Sequence, residues 1–265
     1  VLASGTVKPE DADKIVPFID IKLTRNSILK SQLIVMDILA HNNWERPIYF
    51  VTGYHDDALG LEEYFQYEGL AYRLVPIKSE NRSWVDYGRI DPDILYNNIM
   101  NKFVWGGAND RNVNLDYNHI RTLMVVKARL GYARLAKELA SIGKKELAVG
   151  VVDRCLEVLP PDKFPYDPYY PDLIEAAFLA GAADKAEKMA RDLSEYYYAR
   201  LDYFLKQNPY VISSADYEIQ SAIQYSSKVA GFCITNGRPE LGKEIQDRIG
   251  NYFAEYSSKE GISSE

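Results

Sequence analysis

The sequence predicts an α+β fold that is mostly α: a small N-terminal α/β unit followed by an array of helical hairpins. From about Tyr117 almost to the end, apolar residues recur at helical spacing. The pattern breaks at Ser141 to Lys144, Pro160 to Pro171, Gly181, Asn208-Pro209 and Asn236-Gly237, which gives about six helices in three pairs. Ahead of that array, Arg46 to Thr52 and Ala71 to Ile77 are β-branched and aromatic, as strands require. Between the two parts the text changes, punctuated by Trp84, Tyr87, Asp91-Pro92 and Trp105-Gly106-Gly107. The expected organisation is a lead-in over 1–14, a small α+β domain with a connecting region over 15–115, a helical repeat domain over 116–258 and a tail over 259–265.

Taken in order, residues 1–14 are polar and expected to be extended. Ile15 to Leu23 alternates apolar and polar positions, which fits a short strand or an extended edge segment. Ser27 to Asn42 carries Ile28, Leu29, Leu33, Ile34, Met36, Ile38 and Leu39, enough to wrap most of a helix, and is expected to be largely buried. Asn42 and Asn43 suit its C-terminal end, because Asn tolerates the left-handed conformation. The strand Arg46 to Thr52 closes at Gly53, Leu61 to Tyr67 reads as helical, and Ala71 to Ile77 is a strand whose end Pro76 should place at an edge. Pro92 to Lys102 is a helix, with Asp91 as N-cap and Pro92 at the first position, where no backbone donor is needed.

In the helical part Tyr132, Leu135, Ala136 and Leu139 form one face, Gly143 lies in a turn, and Ala148, Val152 and Cys155 form a second face that ends at Pro160. This spacing resembles the tetratricopeptide repeat, in which small residues let two helices approach closely and large ones fill the groove beside them. Tyr170, Leu173, Ala177, Gly181, Ala186, Ala190 and Leu193 repeat the layout, with a second helix that runs on through Tyr196-Tyr197-Tyr198 toward Gln207. Val229, Ala230, Cys233, Gly237, Gly242 and Ile249 give a third unit. The irregular spacing between copies also fits a generic array of helical hairpins.

Composition narrows the function. A net charge of −7 opposes nucleic-acid binding, which needs a positive field to displace counterions. No stretch is long and apolar enough to span a bilayer. The start Val-Leu-Ala-Ser-Gly has no initiator Met and reads as a cut inside a longer protein. Cys155 and Cys233 sit among apolar neighbours, as small buried hydrophobes do, and His41, His55 and His119 lack metal-ligand spacing. No catalytic residue, cofactor site or metal site is expected: nucleophile elbows, phosphate loops and zinc motifs are missing. The pairs Asp56-Asp57 and Glu62-Glu63 read first as solvated surface and only second as acid-base or metal groups.

Tyrosine stands out, with 21 among 265 residues, and its flat apolar face and hydroxyl serve recognition as well as packing. The candidates for partner binding are Tyr54, His55 and Asp56 beyond the first long strand, Tyr64 and Tyr67, and Tyr169, Tyr170 and Tyr197. At least one ring of Tyr196 to Tyr198 should be exposed, since three consecutive residues point three ways around a helix.

A more particular signature is Asn42-Asn43-Trp44-Glu45-Arg46-Pro47-Ile48-Tyr49-Phe50 followed by Glu68-Gly69-Leu70-Ala71-Tyr72-Arg73-Leu74-Val75-Pro76-Ile77. It resembles the soluble tail of large bacterial multi-pass membrane proteins similar to protein O-mannosyltransferases. The resemblance implies a non-catalytic region on the extracytoplasmic, periplasmic face of the inner membrane, attached to an upstream transmembrane domain that holds the chemistry. Its partners would be that membrane domain and an acceptor protein or glycan, and the alternative is a docking module of the cell envelope without substrate contact. Within the signature Trp44, Arg46, Pro47, Tyr49, Glu68, Gly69 and Arg73 are expected to act structurally, with Arg46 capping the preceding helix and Trp44 covering the sheet edge.

Overall fold

The computed structural model describes residues 1–23, 26–51, 58–79, 87–116, 118 and 126–263, with side chains described to residue 259. They fall into two units, Val1–Phe103 and Val104–Glu265. The fold is α+β and mostly α, with a four-stranded sheet in the first unit and a helical array in the second.

In the first unit, helix α1 (Lys30–His41) starts three residues later than the periodicity predicts. Leu29 is still extended there, and its N–H is taken up by the Gln32 side chain at 2.9 Å. The sheet comprises β1 (Tyr49–Phe50), β2 (Phe65–Tyr67), β3 (Tyr72–Leu74) and β4 (Arg89–Ile90), in the order β1-β3-β2-β4. β3 runs antiparallel to β1 and β2, and β4 runs parallel to β2.

Several expectations need correction. The segment Leu61 to Tyr67 is a 3-10 turn over Leu61–Tyr64 and then strand β2, not a helix. β3 itself ends at Leu74, short of the expected Ile77, and lies between β1 and β2, so Pro76 falls beyond the paired residues. Of the two readings of Ile15 to Leu23, the structure has the extended segment and not the strand: it makes one bridge, Ile15 to Ile77, and Pro17 has no N–H to continue a ladder. Residues 1–14 are drawn onto the unit: Val7 packs with Val75 and Ile77, and Asp11 in the 3-10 turn Pro9–Lys14 binds Arg89 at 2.7 Å. Glu62 is buried, and Glu63 pairs with Lys22 and Lys78, so these acids are not a free solvated pair.

The strand register explains the sheet's two faces. Tyr49, Arg73, Gln66 and Arg89 stand opposite one another across the four strands and form a polar face. The alternate face carries Phe50, Tyr72 and Tyr67, and Tyr72 stacks on Phe65 at 5.6 Å and on Tyr87 at 4.7 Å. Gly69 must be glycine, since its φ is 117° and a Cβ would lie 2.6 Å from the Phe103 ring. Helix α2 (Pro92–Tyr96) is capped by Asp91, which accepts from the N–H groups of Asp93 and Ile94, and continues as a π-helical turn over Asn97–Lys102.

The second unit pairs α3 (Val126–Ser141) with α4 (Lys145–Val158), α5 (Tyr170–Leu179) with α6 (Ala183–Leu205), and α8 (Asp216–Thr235) with α9 (Pro239–Ser263). Short α7 (Pro209–Ser214) precedes the third pair, with Asn208 as its cap. The residues expected on the hairpin faces are buried, including Tyr132, Leu135, Ala136, Ala148, Cys155, Ala177, Ala186, Ala190 and Val229. Gly143, Gly181 and Gly237 end the first helices of the three pairs at φ 80° to 85°. The long loop before α5 is held by Arg129, fully enclosed, which donates to Asp167 and to the carbonyls of Leu159, Phe164 and Pro165.

Candidate functional site

Helix α1 decides where the first unit is open. Gln32, Val35, Met36 and Leu39 recur at helical spacing and are half-buried, and no residue of α1 is fully buried, contrary to the expectation of a largely buried helix. Leu33, Ile34 and Ile38 are each about half exposed, at 52%, 52% and 47%. An apolar arc this wide belongs to a helix covered from more than one side.

One side of that arc borders a groove of about 620 Å³. Its lining includes the extended segment Ile15 to Ile19, the α1 residues Met36, Leu39 and Ala40, and Asn42, Asn43 and Trp44 just beyond the helix. The size and the mostly apolar lining with a few polar groups are those of a ligand cleft. Those last three lining residues belong to a strained turn. Asn43 and Trp44 have φ of 46° and 61°, and the Glu45 N–H closes the turn on the Asn42 carbonyl at 2.9 Å. Asn accepts the left-handed conformation, but Trp does so at a cost of about 1–2 kcal/mol. The Asn42 amide braces the turn by donating to the Arg46 carbonyl at 2.8 Å. Residue 46 therefore enters through its backbone, and its side chain is exposed instead of capping α1.

Other signature residues meet on the polar face of the sheet. The Tyr49 hydroxyl donates to Glu68 at 2.7 Å, Gln66 donates to the same carboxylate at 2.9 Å, and Arg73 lies 4.0 Å away. Burial and the Glu68 carboxylate push the Tyr49 hydroxyl up to about 12, so it stays a donor at neutral pH. Pro47 is exposed.

The tyrosines singled out in the sequence are not at the groove. Tyr64, Tyr67, Tyr170 and Tyr197 are buried, and Tyr169 is half-buried. Tyr54, His55 and Asp56 lie outside the described residues. None of Tyr196 to Tyr198 is fully exposed, because α6 packs against α5, α8 and α9. The groove residues Met36, Leu39 and Ala40 carried no motif. Their one sequence signal was an apolar arc too wide for a helix with a single covered face.

Both cysteines are free and buried, and burial raises the Cys155 thiol to about 12 and the Cys233 thiol to about 11. Among the described residues, no group of three or more His, Cys, Asp or Glu could hold a metal, and no helix is long and apolar enough to cross a membrane.

Residues 1–94 match the model of a family described as TMEM260-associated domain 2. The matched span contains both stretches that carry the sequence resemblance, Trp44 to Phe50 and Glu68 to Ile77. Every residue lining the groove falls inside the matched region. No curated protein and no solved structure matches the chain.

Proposed function

We propose that this chain is a non-catalytic, extracytoplasmic region of an O-mannosyltransferase-like membrane protein, and that its groove holds an extended apolar stretch of the acceptor polypeptide. The observation that carries this reading is the groove itself, built within the segment that matches the TMEM260-associated domain. Its apolar walls suit Val, Leu or Ala side chains, and the Asn43 amide in its lining offers a polar contact. A free sugar, which presents hydroxyls on every side, fits such walls less well than a peptide does.

A second reading is favoured by the exposed Ile34 and Ile38, which lie on α1 away from Met36 and Ala40. On this reading the unit docks against another protein or the parent's own membrane domain, without contacting substrate. Leu39→Asp and Ile34→Asp variants of the whole parent protein separate the two. Acceptor positioning predicts that Leu39→Asp lowers glycosyl transfer at least about tenfold with assembly intact. Transfer unchanged by Leu39→Asp but assembly lost in Ile34→Asp would replace it with the docking reading.

A further inference from the structure

We infer that the groove takes its polypeptide by strand addition: the incoming chain pairs with the free backbone edge of Phe18 to Ile21, and its backbone is read instead of a fixed side-chain sequence. This rests on the groove reading above and names how that site recognises its partner. In an extended chain the N–H and C=O of one residue point to the same side, and those of the next residue to the other. Asp20 donates its N–H to the Tyr64 hydroxyl at 3.3 Å, and Lys22 donates its N–H to the Leu59 carbonyl at 2.9 Å. Those two residues turn their backbone groups toward the rest of the unit, so Ile19 and Ile21 turn theirs away. Among the described residues, neither the N–H groups nor the carbonyls of Ile19 and Ile21 have a hydrogen-bond partner.

Hydrogen-bond complementarity selects the occupant. Pro17 separates this edge from the residues before it: Val16 donates to the Pro76 carbonyl at 2.9 Å and Ile15 bridges Ile77, whereas Pro17 has no N–H. The free edge belongs to the groove, because Phe18, Ile19 and Ile21 are all in its lining, with Phe18 69% and Ile21 38% exposed. Donors and acceptors that recur at every second residue are a template for one more strand. A helix has spent its own backbone groups, and a sugar or an acyl chain has no such repeat, so an extended polypeptide is the class that satisfies the edge. Side chains alternate along the added strand, which leaves every second one turned from the apolar lining and free to vary.

The test uses the whole chain and three short fluorescent peptides: one rich in valine and alanine, a second with the same residues shuffled, and the first again with its central amides N-methylated. Methylation removes the backbone donors and keeps the apolar side chains. The shuffled peptide should bind within severalfold of the first, and the methylated one at least about tenfold more weakly. With the first peptide bound, amide exchange followed by NMR should slow at least about tenfold at Ile19 and Ile21, while Val16 and Lys22 keep the rates of the free chain. Equal binding of the methylated peptide, loss of binding on shuffling, or bound peptide that leaves Ile19 and Ile21 exchanging freely overturns strand addition, while the groove still holds a polypeptide. No binding by any of the three overturns the groove reading with it. Protection of Ile19 and Ile21 in the chain alone, rising with its concentration, assigns the edge to a second copy and overturns the proposal.

Discussion

The backbone N–H of Glu45 donates to the carbonyl of Asn42 at 2.9 Å, and between them Asn43 and Trp44 are both left-handed. The strain places Trp44 in the groove's lining. Trp44→Gly removes about 1–2 kcal/mol of strain along with the half-buried ring's contacts, so urea unfolding should shift by no more than about 1 kcal/mol. A packed aromatic truncated without such relief costs about 3 kcal/mol or more. The same variant should weaken peptide binding in the groove at least about tenfold.

Arg129 and Asp167 form a buried pair that ties the loop between α4 and α5 to α3. Replacing Arg129 with Met strands the Asp167 carboxylate and several carbonyls, and should destabilise the helical unit by about 3–5 kcal/mol in urea titrations. Adding Asp167→Leu should recover part of that loss, because the uncompensated buried charge is then gone.

Gly242 and Gly150 make opposite predictions from the same substitution. A Cβ at Gly242 would lie 2.4 Å from Ile234 Cγ1 and 2.7 Å from the Ala230 carbonyl, whereas one at Gly150 meets nothing within 4 Å. Alanine gains about 1 kcal/mol in helix propensity at either place. At Gly242 the overlap between α8 and α9 outweighs the gain, and thermal unfolding should show a net loss of about 1 kcal/mol. Gly150→Ala should stabilise by about 0.5–1 kcal/mol.

Burial raises the Cys155 thiol from 9.0 to about 12 in the folded chain. A raised pKa stabilises fully below the unfolded value, so this contribution is present under pH 9 and is lost as pH climbs from 9 toward 12. Chemical denaturation across that window should show a steeper decline for the parent than for Cys155→Ala. At pH 8 both thiols should resist an aromatic disulfide reagent until the chain unfolds.

The helical array was legible because its signals are local and redundant. Small residues such as Ala136, Ala148 and Ala190 fall at helical spacing and are buried, and Gly143, Gly181 and Gly237 mark the turns. The sheet was harder to read, because strands of two or three residues are too short to show alternation, and Phe65–Tyr67 follows directly on a 3-10 turn. The groove was not legible. Met36 and Leu39 look like any core residues, and only exposure in the folded unit separates a helix at a site from a helix in a core.

On the proposed function, the groove beside α1 receives an extended apolar polypeptide. Titrating the isotope-labelled chain with a short valine- and alanine-rich peptide, followed by two-dimensional NMR, tests it most directly. Saturable shifts are expected at the amides of Ile15, Val16, Phe18 and Ile19, at the methyl groups of Met36 and Leu39, and at the Trp44 indole, with α3 to α9 unmoved. Shifts confined to the helical unit, or none at all at saturating peptide, would contradict it.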